Sequence, residues 1–216
     1  MRMGKNSFAV VIGVALFLSM TCMYLADVHA KEGISITRAA TLDNLQVAYN
    51  GESNANARYL AFARKANEEG YDAAASLFRA AAMAEQVHYE RHAGEIKKLG
   101  GTPKADIMAP VVNSTRENLE SALEGETYEH DVMYPEFIKQ AKKENNKDVI
   151  EAFEDARAAE GVHAKLYAKM LKNLEFSKSL AKDFYVCPVC GNIVDSITTM
   201  MCPICSADTR KFKKVR

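Results

Sequence analysis

The stretch AAMAEQVHYERH, residues 81–92, sets Ala81, Glu85, His88 and His92 at steps of four, three and four residues. That spacing keeps side chains on one face of an α-helix. Leu77 and Phe78 lie just before it on the same face. The face therefore belongs in a core, yet it carries a carboxylate and two imidazoles.

Working outward, four segments show helical period. The first spans about 42–69, with a stripe of Leu45, Ala48, Glu52, Ala55, Tyr59, Phe62 and Ala66 that stops at Gly70. The second spans about 72–99 and stops at Gly100-Gly101-Thr102-Pro103. The third starts near Asn113, where Ser114 and Glu117 have capping-box spacing. Its expected stripe is Leu119, Ala122, Glu126, Glu129, Met133 and Phe137, and Pro135 inside the pattern predicts a kink or bulge. The fourth spans about 148–174, with Val149, Phe153, Ala156, Glu160, His163, Tyr167, Met170 and Leu174 on one face.

Each helix thus places a glutamate inside an apolar stripe. The first and third carry Glu alone, and the second and fourth carry Glu-x-x-His. Glu52 and Glu85 are 33 residues apart, Glu126 and Glu160 are 34, so one helical hairpin repeats the other. A four-helix bundle buries four such stripes. Unpaired carboxylates in a core are costly and tend to take up protons. Two divalent ions carry four positive charges, which nearly balance Glu52, Glu85, Glu126, Glu129 and Glu160, and His88 and His163 complete the coordination. His92 has no match in the fourth helix, where Tyr167 stands, and is expected to be structural or to support a ligand. Tyr59 and Tyr134 can hydrogen-bond a ligand carboxylate or simply fill the core. His130 is expected to face away.

The chain has 216 residues, 48% of them hydrophobic, and equal numbers of basic and acidic residues, 28 each. That allows one sizeable core with a small appendage. With no long basic run and no acidic tail, it points to no nucleic-acid partner. Arg2 and Lys5, the apolar run FAVVIGVALFLSM and Val28-His29-Ala30 read as a signal peptide over 1–30, cleaved after Ala30, with a periplasmic destination. The alternative is a retained membrane anchor, since Phe8–Ala26 is nearly long enough to span.

Cys22 lies in the leader, and the other four cysteines form Cys187-x-x-Cys190, eleven residues, then Cys202-x-x-Cys205. Paired knuckles of this spacing bind one metal through four thiolates. Zinc gives a structural ribbon; iron gives a redox centre. Cys-Pro-x-Cys twice, with Tyr185 before and Gly191 after, leans toward iron. The basic end, 211–216, is expected to fray.

Together these pieces resemble the rubrerythrin family over roughly residues 38–212. The matching motifs are Gly51-Glu52 with Arg58-Tyr59, Glu85-x-x-His88, Gly125-Glu126-x-x-Glu129 with Met133-Tyr134-Pro135, Glu160-x-x-His163 and the four cysteines. The resemblance implies a mostly α fold: a ferritin-like four-helix bundle over 38–175 and a rubredoxin-like module over 182–212. It implies a non-haem diiron peroxidase that reduces hydrogen peroxide to water in oxidative stress protection. Glu129 would bind one iron when oxidised and His88 the same iron when reduced. Electrons would come from a reductase or a rubredoxin-like donor protein through the tetrathiolate iron. In the family that transfer crosses between subunits of a head-to-tail homodimer, the module lying far from its own diiron site. Two features depart from the family: an export-like leader on a chain whose relatives are usually cytoplasmic, and a slightly short loop between the cysteine pairs. Competing readings are a ferroxidase or iron-handling protein, a zinc-ribbon interaction or sensor protein with structural bundle metals, and a dimanganese catalase.

Overall fold

The computed structural model describes residues 40–216, and the expected leader and its cleavage site lie outside the described residues. Helix α1 covers residues 40–68, α2 Asp72–Lys98, α3 Thr115–Tyr128, α4 Tyr134–Lys143 and α5 Lys147–Lys172. Gly70 and Gly100 end α1 and α2 with φ of 78° and 81°. At both ends a six-to-one hydrogen bond closes the turn, Tyr71 N to Ala66 O and Gly101 N to Ile96 O. Ser114 and Glu117 form the expected capping box, and Asn146 caps α5 through Val149 N. Among the described residues no helix is long and apolar enough to cross a membrane.

The third expected helix is interrupted. Between α3 and α4 lies a π-helical turn, Glu129–Met133, in which Tyr134 N–H reaches back to Glu129 O. Such a turn holds one extra residue. Pro135 has no N–H to give to the preceding turn, and Arg157 Nε donates to His130 O there at 2.9 Å. The insertion moves the buried stripe by one position. Tyr134 and Ile138 are buried where Met133 and Phe137 were expected, and those two are only half-buried.

Two apolar layers flank the glutamates. One contains Tyr59, Phe62, Phe78, Leu119 and Tyr167; the other contains Leu45, Ile96, Tyr134, Val149 and Phe153. On α1, α2 and α5 the glutamate divides residues of one layer from residues of the other, so the acids share one depth.

The α2–α3 connection lies along α1 on a ladder of side-chain amides. Gln46 Nε2 donates to Thr102 O (2.6 Å), Asn50 Oδ1 accepts from Asp106 N (2.8 Å), and Asn54 bonds both Asp106 O (2.8 Å) and Met108 N (2.9 Å). Step-of-four amides on the helix thereby satisfy the backbone of an extended segment that has no strand beside it.

The C-terminal module is a three-stranded antiparallel sheet of β1 (Phe184–Val186), β2 (Ile193–Val194) and β3 (Lys213–Val215), in the order β2-β1-β3. The expected fraying of 211–216 is corrected here. Phe184 pairs with Val215 and Val186 with Lys213. Asp183 binds Lys214 Nζ at 2.7 Å and Arg216 Nε at 2.6 Å, and Arg79 Nε on α2 holds Arg216 O at 2.6 Å. Backbone pairing and a shared carboxylate outweigh the like charges of this segment.

Candidate metal centres

Two four-donor groups meet inside the bundle. Glu52, Glu85, His88 and Glu160 form one; Glu85, Glu126, Glu160 and His163 form the other, each with its donor atoms within 4.8 Å of one another. Glu85 and Glu160 belong to both, as bridging carboxylates would. His88 Nδ1 lies 3.0 Å from Glu85 Oε2 and 2.9 Å from Glu160 Oε1. His163 Nδ1 lies 2.7 Å from Glu160 Oε2, 3.3 Å from Glu126 Oε2 and 3.7 Å from Glu85 Oε1. All six side chains are buried. Glu129 lies outside both groups, half-buried on the π-helical turn. Burial, then Glu160 and Glu126, push its carboxyl well above the usual range.

The far nitrogens of the two imidazoles decide their tautomer. His88 Nε2 lies 3.0 Å from Cys190 O and His163 Nε2 lies 3.1 Å from Gly191 O. A carbonyl only accepts, so both Nε2 atoms carry the proton. Each neutral ring then aims the Nδ1 lone pair at carboxylates, an arrangement that a metal ion among them resolves. Glu52 Oε2, Glu85 Oε1 and both Glu160 oxygens are also buried without a hydrogen bond among the described residues. Without a cation the cluster gathers protons. Burial, then Glu85 and Glu160, raise Glu126 to about 8. Burial, then Glu129 and Glu85, raise Glu52. At both histidines burial opposes the charged ring, but Glu160, with Glu85 at His88 and Glu126 at His163, outweighs it and raises the pKa. The donor set fits two cations.

Tyrosines hold the outer carboxylates. Tyr59 Oη donates to Glu126 Oε1 at 2.6 Å, and Tyr134 Oη donates to Glu52 Oε1. His92, with its possible supporting role left open by spacing alone, lies 3.0 Å from Tyr134 Oη through Nε2. His130 stays out of both donor groups. It bonds Asp131 (2.6 Å) and rests on Gly161, where a Cβ would fall 2.7 Å from its Cδ2.

The four cysteines of the module are free, and their thiols converge. Cys187 and Cys205 Sγ are 3.6 Å apart, as are Cys190 and Cys202 Sγ. A tetrahedron with metal–sulfur bonds of ~2.3 Å has edges of ~3.8 Å. Each knuckle closes the same way, Gly191 N to Cys187 O (3.1 Å) and Ser206 N to Cys202 O (3.0 Å), with left-handed φ of 75° and 59°. The thiols respond unequally to their crowding. A hydrogen bond from Cys190 leads in lowering Cys187 to about 5, while burial leads in raising Cys205 to about 12.

The module does not stand away from the bundle of its own chain, as the resemblance implied. The Cys190 and Gly191 carbonyls are the acceptors for His88 and His163. Gly191 permits this approach, because a Cβ there would fall inside contact distance of His88 Nε2 and 2.9 Å from Cδ2.

Bundle and module together define a ferritin-like carboxylate protein built for a pair of metal ions, with a rubredoxin-like four-cysteine centre attached. The sequence model of rubrerythrin matches residues 43–171, and the chain belongs to the rubrerythrin family. Nigerythrin of Nitratidesulfovibrio vulgaris (strain Hildenborough) is 38% identical over 167 residues, which cover 77% of this chain and 82% of that protein. Rubrerythrin-2 of Clostridium acetobutylicum is 33% identical over 188 residues, covering 83% of this chain and 99% of the other. A structure of nigerythrin in its fully reduced, all-ferrous state superimposes with a TM-score of 0.76 at 36% identity, covering 81% of this chain and 86% of that one.

Proposed function

We propose that the chain is a diiron peroxidase: hydrogen peroxide, two protons and two electrons give two waters, and the electrons enter through an iron held by the four cysteines. One observation carries the reading. His88 and His163 each place Nδ1 in a bundle donor group and Nε2 on a carbonyl of the Cys190–Gly191 knuckle, at 3.0 and 3.1 Å. A purely structural zinc ribbon has no need of that contact.

Glu52, Glu85, His88 and Glu160 would hold one iron, and Glu85, Glu126, Glu160 and His163 the other, with Glu129 an additional carboxylate beside them. Cys187, Cys190, Cys202 and Cys205 would hold the third. The all-ferrous nigerythrin structure supports iron as the metal. When bound, the paired irons would supply two electrons and Lewis acidity toward the peroxide oxygens.

The chain supplies the rest. Tyr59 and Tyr134 fix the Glu126 and Glu52 carboxylates and keep phenolic protons beside the reacting centre. Two apolar layers keep bulk water from the acids. The Cys190 and Gly191 carbonyls hold both imidazoles in the ligating tautomer. From Cys190 Sγ, a few covalent bonds and one hydrogen bond lead to His88.

A reductase or rubredoxin-like protein as donor, a homodimer, and export directed by residues 1–30 belong to the same proposal. Metal analysis, a visible spectrum and anaerobic peroxide turnover on one sample test it. The expected result is about three iron ions per chain, a red oxidised tetrathiolate centre and peroxide consumption. Colourless zinc protein, or iron protein inert to peroxide, contradicts it.

A further inference from the structure

The two halves of the bundle repeat one another, but not behind their outer carboxylates. Glu126 is held by Tyr59 and Glu52 by Tyr134. Residues 85, 88 and 92 of α2 match 160, 163 and 167 of α5, each 75 positions later. Behind Tyr134 stands His92; behind Tyr59 stands Tyr167. The Tyr167 ring packs 5.7 Å from that of Tyr59, and its Oη has no hydrogen-bond partner among the described residues. His92 Nε2, by contrast, lies 3.0 Å from Tyr134 Oη, and both residues are buried.

The direction of this chain follows from what each atom can give. With a metal ion bound, the Glu52 carboxylate is ionised and only accepts, so the single phenolic proton of Tyr134 points to it. Tyr134 oxygen can then only accept from His92, so His92 Nε2 carries a hydrogen. Its Nδ1 is left as a buried lone pair without a partner among the described residues. Burial, then His88, lowers the His92 pKa to about 3, so the ring is a single neutral donor. Phe153, with its ring 5.4 Å away, helps to hold it in place.

We propose that His92 is a positioning residue for one metal only. Its N–H fixes the Tyr134 hydroxyl on Glu52 and so orients the carboxylate of the Glu52–Glu85–His88–Glu160 group. Tyr59 behind Glu126 has Tyr167 and Arg58 beside it instead, and among the described residues neither the Tyr167 hydroxyl nor Arg58 Nε makes a hydrogen bond. A polarised phenol is also a stronger donor, because hydrogen bonds in a chain reinforce one another. The two metals of the bundle are thereby made unequal by residues that touch neither.

The inference rests on the two-metal reading of the bundle and not on peroxidase activity. The probe is Co²⁺, titrated anaerobically into iron-free protein and followed by its visible bands and by calorimetry. Supporting ligands of this kind are worth ~10–100-fold in affinity. His92→Phe keeps a ring in the pocket and removes the N–H. It should weaken one Co²⁺ about tenfold and leave the other unchanged, whereas His92→Gln, which returns an N–H near the same place, should restore both. Tyr134→Phe should reproduce the loss, and adding His92→Phe to it should cost nothing further. Equal weakening of both ions, wild-type binding by His92→Phe, or an additive loss in the double variant would overturn the proposal. If His92→Phe does not fold, His92→Gln decides: wild-type affinities for both ions support the proposal and a weakened ion defeats it. Wild-type protein that binds fewer than two Co²⁺ in the bundle would sink the two-metal reading itself, which is a distinguishable result.

Discussion

Replacing Gly191 with serine separates the docking of the module from its folding. The second knuckle already places Ser206 at the matching turn, with φ of 59° against 75° at Gly191. A serine can therefore make the knuckle at a strain of ~1–2 kcal/mol. Gly191 differs from Ser206 in what lies outside it, since a Cβ there would collide with His88 Nε2 and sit 2.9 Å from Cδ2 and 3.1 Å from Cε1. His88 is buried and held by Glu85 and Glu160, so it has little room to yield. Backing the knuckle away breaks the bonds from both histidines, each worth ~1 kcal/mol net. The backbone strain is common to the docked and undocked knuckle, so docking itself loses the two bonds, ~2 kcal/mol or a factor of ~30. The variant should keep its four-cysteine iron and red colour. Hydrogen–deuterium exchange should rise across 184–194, and donor-driven peroxide turnover should fall by ~30-fold. Pre-reduced variant should still consume peroxide in a single turnover. Wild-type exchange and wild-type turnover together would refute the argument.

Glu85→Ala and Glu160→Ala each remove a carboxylate shared by both donor groups; each should lose the bundle iron and keep the red tetrathiolate iron, measured by iron content and visible absorbance. Iron-free protein should lose stability as pH rises from about 5 to 8, more steeply than loaded protein. The sign follows from pKa values raised on folding: Glu126 at about 8, with Glu52, His88 and His163 also raised, favours the fold while protonated and loses that contribution as pH climbs through the folded values. Thermal melts of both forms across that range check it, and parallel curves would contradict it. Native protein should begin near Lys31 on N-terminal sequencing; an intact Met1 in a soluble cytoplasmic fraction would exclude the export reading, and an intact start in membranes would favour the anchor.

The bundle was legible because its acids break a rule. A glutamate in an apolar stripe is conspicuous on each of four helices, and the repeat of Glu-x-x-His confirms the depth at which the stripes meet. Step counting fails where the helix itself changes pitch. Seven residues separate Glu52 from Tyr59 but eight separate Glu126 from Tyr134. That difference, together with Pro135, was the available sign of the π-helical turn, and it displaced the expected positions of Met133 and Phe137. Contacts between distant segments left no periodic trace. The pairing of His92 with Tyr134, the seat of Gly191 on His88 and the strand formed by Lys213–Val215 depend on how separate elements face one another. The Gln46–Asn50–Asn54 ladder does have a period of four, but on a polar face such spacing is ordinary, and its partner is an extended segment without a pattern of its own.

The central claim is that the two metal centres work as one electron circuit. Fully reduced protein, titrated anaerobically with hydrogen peroxide while both centres are followed by rapid-mixing absorbance, tests it most directly. Three ferrous ions hold about three electrons per chain, so about three peroxides should oxidise two chains completely. The bundle should oxidise first, and the red ferric tetrathiolate band should grow in after it as that iron passes its electron inward. A Cys202→Ser sample in parallel should take up about one peroxide per chain and stop. Bundle oxidation that leaves the wild-type tetrathiolate iron reduced, or a Cys202→Ser protein that cycles with the donor at the wild-type rate, would contradict the account.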